Sequence, residues 1–272
     1  ILHSGDGGRH WHKQLDGLAI NTLMVTAAQA EVANAEGAGA VAADDAAASL
    51  ALDNAHFFLD DVTAGAQHGA ARPLLDVWFR DSHNGWAAGA YGTLLRTRDG
   101  GQSWAYVPGL DNPERLHLNT VLGLADGSVM VAGEGGRLYR SLDDGEHWLA
   151  TQVLTDASLY KLLALADGRV LALGFGGTLY VSADQGQHWQ PLALPVAANL
   201  YGGTQLRDGT VVLAGQGGAL LHAGADLHFS PRPLASKAPL LAVSQLPDGQ
   251  LALVGPGGFM AIPTTPSAQV QP

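Results

Sequence analysis

A short pattern, S/T-x-D-x-G-x-x-W, recurs along this chain and constrains its fold more than any other feature. Its copies end at Trp11, Trp104, Trp148 and Trp189, and a decayed copy ends at Phe229. From Trp104 onward the spacings are 44, 41 and 40 residues, whereas 93 residues separate the first two copies. A repeat of about 40 residues predicts a fold assembled from similar units packed side by side.

Each repeat unit contains four strand-like runs. The clearest unit, "LYKLLALADGRVLALGFGGTLYVSADQGQHWQPLAL" from Leu159, places an Asp-Gly turn, a Gly-x-Gly-Gly turn and the tryptophan box between apolar runs. This order predicts an all-β fold, a β-propeller of four-stranded blades. Units begin near residues 74, 116, 158, 199 and 239, and "ILHSGDGGRHWHKQ" predicts the last two strands of a further blade. We therefore expect six blades, or seven if residues precede Ile1, with the N-terminal region completing the last unit.

The tryptophan box predicts an architectural role for its repeated residues. The aspartate accepts hydrogen bonds from backbone N–H groups in the turn, the glycine adopts positive φ, and the tryptophan is buried between blades with its indole N–H paired. The box residues are Ser4, Asp6, Gly8, Trp11, Thr97, Asp99, Gly101, Trp104, Ser141, Asp143, Gly145, Trp148, Ser182, Asp184, Gly186 and Trp189.

The box resembles the Asp-box, or BNR, repeat of sialidases and other propellers. The longer stretch "NGWAAGAYGTLLRTRDGGQSW" is similar to the photosystem II stability/assembly factor-like propellers, and the resemblance covers residues 1–14 and about 74–262. It implies a non-enzymatic assembly factor or accessory subunit that binds a membrane protein complex outside the cytoplasm. For non-photosynthetic bacteria, the resemblance further implies an association with transporters of the resistance-nodulation-division class. Because the sequence begins inside a box, we also expect a processed or incomplete form, and removal of an export signal stays open.

Residues 15–72 interrupt the repeat and predict an acidic, alanine-rich helical insertion. Helices are expected over 18–36 and 44–61, with Asp44 capping the second and residues 37–40 connecting them. Eight acidic residues and no Lys or Arg occur from 15 to 71. An acidic, partly apolar projection is typical of a docking element, although inert packing on the propeller stays open. The candidate partner-binding residues here are Asp44, Asp45, Asp53, Phe57, Phe58, Asp60 and Asp61.

A second candidate surface is the mouth of the propeller, where the first strands of the blades approach the axis. Aligned units place Asn119, Tyr160 and Tyr201 at one position, and Lys161 follows at the next. These residues predict a polar and aromatic mouth, with ordinary packing as the alternative.

The predicted domains are a propeller of residues 1–14 and 73–265, the insertion 15–72, and a tail of residues 266–272.

Composition excludes several function classes. A net charge of −11 with no basic run argues against nucleic-acid binding, and the absence of cysteine excludes disulfides and thiolate metal sites. No run of apolar residues is long enough for a transmembrane helix. The histidines before the box aromatics recur once per unit, so we predict no metal site and no cofactor.

The alternative to a scaffold is an Asp-box glycoside hydrolase or a carbohydrate-binding propeller. Nothing in the sequence selects a catalytic pair from its carboxylate candidates, which are Asp76, Asp81, Glu114 and Glu134.

Overall fold

The computed structural model describes residues 1–39, 46–70, 72–151 and 153–264. Over these residues the chain is an all-β propeller of blade-like sheets with a helical hairpin inserted before the first blade. The predicted helix cap at Asp44, the candidate Asp45 and the predicted tail lie outside the described residues.

Five sheets follow one another along the chain, and in each of them consecutive strands are neighbours. Four sheets have four strands and the last has three. Blade 1 is β3–β6 (Leu74–Phe79, Gly85–Gly89, Leu94–Thr97, Ala105–Tyr106), and blade 2 is β7–β10 (Leu118–Gly123, Val129–Gly133, Leu138–Ser141, Leu149–Ala150). Blade 3 is β11–β14 (Leu159–Ala164, Val170–Gly174, Leu179–Ser182, Gln190–Pro191), and blade 4 is β15–β18 (Leu200–Gln205, Val211–Gly215, Leu220–Ala223, Ser230–Pro231). Blade 5 is β19–β21 (Ala242–Gln245, Leu251–Gly255, Gly258–Ile262).

The five predicted units therefore start where the sequence places them, but the prediction of six or seven blades is wrong. The N-terminal box lies in a separate two-stranded hairpin of β1 (Leu2–His3) and β2 (His12–Lys13). Among the described residues, no strand of this hairpin joins the three-stranded blade 5. The box closes its turn with local hydrogen bonds alone, so a copy of it does not require a complete blade around it.

The second strand of each blade explains why these runs are apolar on both faces. Every residue of β4, β8, β12 and β16 is buried. In a strand, neighbouring side chains point to opposite faces, so full burial requires a packed layer on each side. The Asp-Gly turns that precede β8, β12, β16 and β20 place glycine at φ between +86° and +91°, as the hairpin signal predicts.

The chain divides into two compact units. The first comprises residues 1–118 and 145–149, and the second comprises residues 119–144 and 150–272. The second unit contains the apolar layers between successive blades. One layer joins Leu171 and Leu173 of blade 3 to Val211 and Leu213 of blade 4, and it continues to Phe229 of the decayed box.

The first unit contains the insertion, which folds as two helices, α1 (Gly17–Gly39) and α2 (Ala46–Gln67). Asp16 caps α1, since its carboxylate accepts the backbone N–H of Ala19 at 2.9 Å. Both helices pack on blade 1 through a core that includes Met24 and Phe58, each fully buried. The predicted connector is wrong at its start, because α1 continues through Gly37.

The tryptophan box has the predicted internal geometry. In three copies the Ser or Thr hydroxyl donates to the aspartate at 2.8–2.9 Å and accepts the N–H of the box glycine at 2.7–2.8 Å. The aspartates also accept backbone N–H groups near the tryptophan. The pKa of Asp6 is lowered to about 2, mainly by the backbone N–H of His10. The pKa of Asp99 is lowered to about 2, mainly by the Ser103 hydroxyl.

Two tryptophans depart from their predicted roles. Trp104 and Trp148 are buried, but Trp11 is 59% exposed, and among the described residues its hairpin pairs with no further strand. The indoles of Trp11, Trp148 and Trp189 donate to the carbonyl of the box glycine at 3.0–3.2 Å. Among the described residues, the buried indole N–H of Trp104 finds no acceptor.

Candidate functional site

A row of aromatic and cationic side chains crosses blade 1. Strand pairing places Trp78 opposite Trp86 and Trp86 opposite Arg96, so the three residues lie side by side across β3, β4 and β5. The Trp78 and Trp86 rings stack with centroids 5.6 Å apart. The guanidinium carbons of Arg80 and Arg96 lie 5.3 and 5.2 Å from the centroid of the Trp86 ring. Cation–π contacts of this kind stabilise each guanidinium by roughly 0.5–1 kcal/mol and fix its plane.

Beside this row lies a cavity of about 320 Å³, the blade 1 cavity. Its lining includes the side chains of Arg96, Arg98, Ser103, Trp104, Tyr106 and Glu146. The lining offers hydrogen-bond donors, since it contains the guanidinium groups of both Arg96 and Arg98. A planar guanidinium pairs best with a carboxylate or another two-oxygen acceptor.

One carboxylate of the chain already occupies these donors. Glu146 accepts a hydrogen bond from Arg96 Nη1 at 2.9 Å and another from Arg98 Nη2, both on the same oxygen. The Arg96 side chain is 8% exposed, whereas the side chains of Arg98 and Glu146 are more than half exposed. The arrangement shows that the blade 1 cavity can hold a carboxylate, and it leaves Arg98 accessible to one from outside.

Sequence reasoning missed this cluster, although a signal was present. Trp78 and Arg80 alternate with a spacing of two residues, and so do Arg96 and Arg98, so each pair shares a face of its strand. What the sequence does not show is the register that sets Trp86 against Arg96. The cluster is visible only when the strands are paired.

The structure separates the predicted docking residues of the insertion into exposed and buried groups. Asp53, Phe57 and Asp60 lie on the exposed side of α2. Phe58 is fully buried under the hairpin and so belongs to the core. Asp61 is half-buried and pairs with Arg72 at 2.5 Å. The exposed residues keep a docking role as a prediction.

The predicted residues of the propeller mouth are partly brought together. The rings of Tyr160 and Tyr201 lie with centroids 5.4 Å apart, and burial raises the pKa of the Tyr160 hydroxyl. Asn119 donates to the carbonyl of Leu159 at 2.8 Å, which ties the first strand of blade 2 to that of blade 3. Lys161 follows Tyr160 on the same strand and is half-buried. A ligand at this mouth stays a prediction.

Other chemistry receives no support from the geometry. The pKa of Asp81, a carboxylate considered for glycoside hydrolysis, is lowered to about 2, mainly by the side-chain amide of Asn84. A general acid needs the opposite shift. The Nδ1 atoms of His10 and His188 lie 2.5 and 2.6 Å from the aspartates of their own boxes. Throughout the described ranges, no group of three or more potential ligands is arranged to hold a metal ion.

Comparison with known proteins agrees with the repeat. Residues 65–159 match the family model described as "Photosynthesis system II assembly factor YCF48". The chain is thus an Asp-box propeller similar to the photosystem II assembly factors over this region. Neither helix in the described ranges is long and apolar enough to cross a membrane.

Individual relatives match short stretches of the chain. The chloroplastic photosystem II stability/assembly factor HCF136 of Arabidopsis thaliana is 42% identical over 67 residues, which are 25% of this chain and 16% of that protein. The photosystem II assembly lipoprotein Ycf48 of Synechocystis is 40% identical over 68 residues, which are 25% of this chain and 19% of that protein. This chain therefore spans less than a fifth of the length of either relative.

One similar solved structure is described as "YCF48 bound to D1 peptide". It has a TM-score of 0.57 and 24% identity, and the alignment covers 68% of this chain and 60% of the other. At this identity the likeness supports the propeller fold alone.

Proposed function

We propose that this chain is a non-enzymatic propeller that binds a carboxylate-bearing segment of a membrane protein complex, as an assembly factor or accessory subunit. The blade 1 cavity carries the proposal. It offers the guanidinium groups of Arg96 and Arg98 to an acceptor, and their hydrogen bonds to Glu146 support a carboxylate as that acceptor. The acceptor is either the C-terminal carboxylate of a partner or an acidic side chain near an exposed loop.

The comparisons support this choice of function and of site. The blade 1 cavity is built entirely from residues within the matched range 65–159. The relatives are named as assembly factors, and one similar structure holds a peptide of a partner. The Synechocystis relative is named a lipoprotein, which supports action outside the cytoplasm. A transporter of the resistance-nodulation-division class is the finer candidate for the complex, and no observation favours the glycoside hydrolase alternative.

A crosslinking pull-down from membranes of the source organism tests the proposal. The baits are the wild-type chain, Arg98→Glu, and Arg9→Glu as a control. Arg9 is exposed on the N-terminal hairpin and does not line the blade 1 cavity, so its variant makes the same charge change outside the lining. We expect the wild-type and Arg9→Glu chains to retain the same integral membrane protein and Arg98→Glu to lose it, because a carboxylate at 98 repels the proposed ligand.

A direct binding measurement then identifies the ligand group. Peptides from the crosslinked segment are titrated in two forms, with the carboxylate present and with it converted to the amide. Loss of one charge-assisted pair weakens binding by about tenfold. Equal binding of the acid and the amide, or equal recovery by Arg98→Glu and the wild type, would reject the blade 1 cavity as the binding site.

A further inference from the structure

A second cavity lies in the first unit, between the inserted hairpin and the loop that follows β6. Its volume is about 340 Å³, within the range of sites that bind a ligand group. Glu31 of α1, Asn54 and Phe57 of α2, Tyr106 and Arg115 contribute to its lining. We call it the hairpin cavity. The family match begins at residue 65, so both helical walls lie almost entirely outside it.

The loop wall of the hairpin cavity is preformed. The buried side chain of Asn112 accepts the N–H of Leu116 and donates to its carbonyl, both at 3.0 Å. Arg115 has φ +56°, the left-handed region that costs a non-glycine residue about 1 kcal/mol or more. Its guanidinium carbon lies 3.5 Å from the centroid of the Phe58 ring. Contacts within the chain therefore fix the conformation of this wall, with backbone strain at Arg115.

Among the described residues, the charge of Glu31 in the hairpin cavity is not balanced by a direct contact. Arg115 is placed against the Phe58 ring and beside the Tyr106 hydroxyl. Glu31 is half-buried, and among the described residues its carboxylate has neither a hydrogen bond nor an ion pair within 4.0 Å. Burial raises the pKa of Glu31, and the charge of Arg115 offsets this only in part. A carboxylate in this position reduces the stability of the fold, which is typical of a residue kept for binding.

The exposed face of α2 on either side of Phe57 adds apolar surface and further negative charge. Leu50 and Phe57 are 61% and 64% exposed, and their spacing of seven residues places them on one stripe of α2. Asp53 and Asp60 are exposed beside the stripe. Because no Lys or Arg occurs from 15 to 71, this surface repels anionic lipid and nucleic acid and attracts a cation.

We propose that the hairpin cavity binds a basic side chain of a protein partner, a Lys or Arg that lies next to large apolar residues. The cation pairs with Glu31, and the neighbouring apolar side chains pack on Phe57 and Leu50. This site is separate from the carboxylate site of the blade 1 cavity. Its ligand has the opposite charge, so an experiment can reject one site without rejecting the other.

Selection from a library of random, C-terminally amidated peptides tests this proposal on the full chain. The amide removes the terminal carboxylate that the other cavity is proposed to bind. We expect peptides selected on the wild type to be enriched in Lys or Arg beside Leu, Ile or Phe. Glu31→Gln should weaken their binding by about five- to tenfold, as expected for one partly buried ion pair. The control Glu36→Gln makes the same charge change at an exposed position of α1 and should leave affinity unchanged within about twofold.

The apolar contact and the integrity of the fold are measured separately. Phe57→Ala should weaken the selected peptides by about fivefold. Phe259→Ala, which removes an equally exposed ring from β21, should not weaken them. The melting temperature of Glu31→Gln should equal or exceed that of the wild type, because the variant removes a partly buried charge. Selection of acidic peptides, selection of no peptides, or equal binding by Glu31→Gln would overturn the proposal.

Discussion

If the blade 1 cavity binds a carboxylate, Glu146 competes with that ligand for the guanidinium groups of Arg96 and Arg98. Glu146→Gln keeps the size of the side chain but removes the charge that Arg96 and Arg98 now share. We therefore expect the variant to bind the carboxylate peptide recovered in the pull-down more tightly than the wild type does. Most substitutions at a binding site act in the opposite direction.

The size of this effect follows from exposure. The Arg98–Glu146 pair is 61% and 52% exposed, so solvent screening limits its contribution to less than about 1 kcal/mol. Arg96 is buried, but its position over the Trp86 ring persists in the variant. Releasing the guanidinium groups from Glu146 should therefore improve peptide affinity by up to about fivefold. The variant should lose no more than about 1 kcal/mol of stability.

Isothermal titration with the carboxylate peptide and its amide measures the effect. The gain should be confined to the carboxylate form and should decrease as salt is raised. The control Glu36→Gln removes an exposed charge of the same sign on α1 and corrects for the change in net charge. If Glu146→Gln leaves the affinity unchanged or reduces it, then Arg96 and Arg98 do not receive the ligand and the reasoning fails.

Three further predictions concern the tryptophan boxes. Gly186→Ala should destabilise by about 2 kcal/mol in chemical denaturation, because φ is +82° and an added Cβ would lie 2.5 Å from a methionine sulfur of the neighbouring blade. Gly8→Ala, which has the same backbone strain but no such contact, should cost less. Because the pKa of Asp99 is about 2 in the fold and 3.8 without it, its contribution to stability is complete above pH 4. That contribution should be lost between about pH 4 and 2 in melting curves, and Asp99→Asn should flatten this limb. Trp148→Ala should cost about 3–5 kcal/mol, whereas the exposed Trp11 should tolerate alanine with a loss of about 0.5 kcal/mol in the same assay.

The propeller units and both helices could be predicted because their signals are local. Turn glycines, short apolar runs and helix composition act within a few residues, and the starts of blades 1 to 5 follow from them. The blade count could not be predicted from the number of boxes. The box at Asp6 makes its hydrogen bonds within its own turn, so it persists in a hairpin that carries no further strands.

The candidate sites were harder to predict because they depend on contacts between distant parts of the chain. The blade 1 cavity needs the strand register that sets Trp86 against Arg96, together with Glu146 from the following repeat. The hairpin cavity needs Glu31 to pack near a loop more than 70 residues later in the chain. Phe58 was predicted to be a partner-binding residue, because the surrounding sequence does not distinguish it from its neighbour Phe57. Only the packing of α2 on blade 1 separates the two rings.

The two cavities have residues in common, and this constrains any partner that reaches both. Tyr106 and Pro108 line each cavity, so the donors of Arg96 and Arg98 lie on one side of a shared wall and Glu31 lies on the other. A single extended segment that fills both must carry a carboxylate and a basic side chain in that spatial order. A segment with the two charges exchanged would place its carboxylate against Glu31 and its basic side chain against Arg96 and Arg98. Repulsion between like charges excludes wrong partners at specific interfaces. On these two proposals, the insertion would add selectivity to the carboxylate site of the blade 1 cavity.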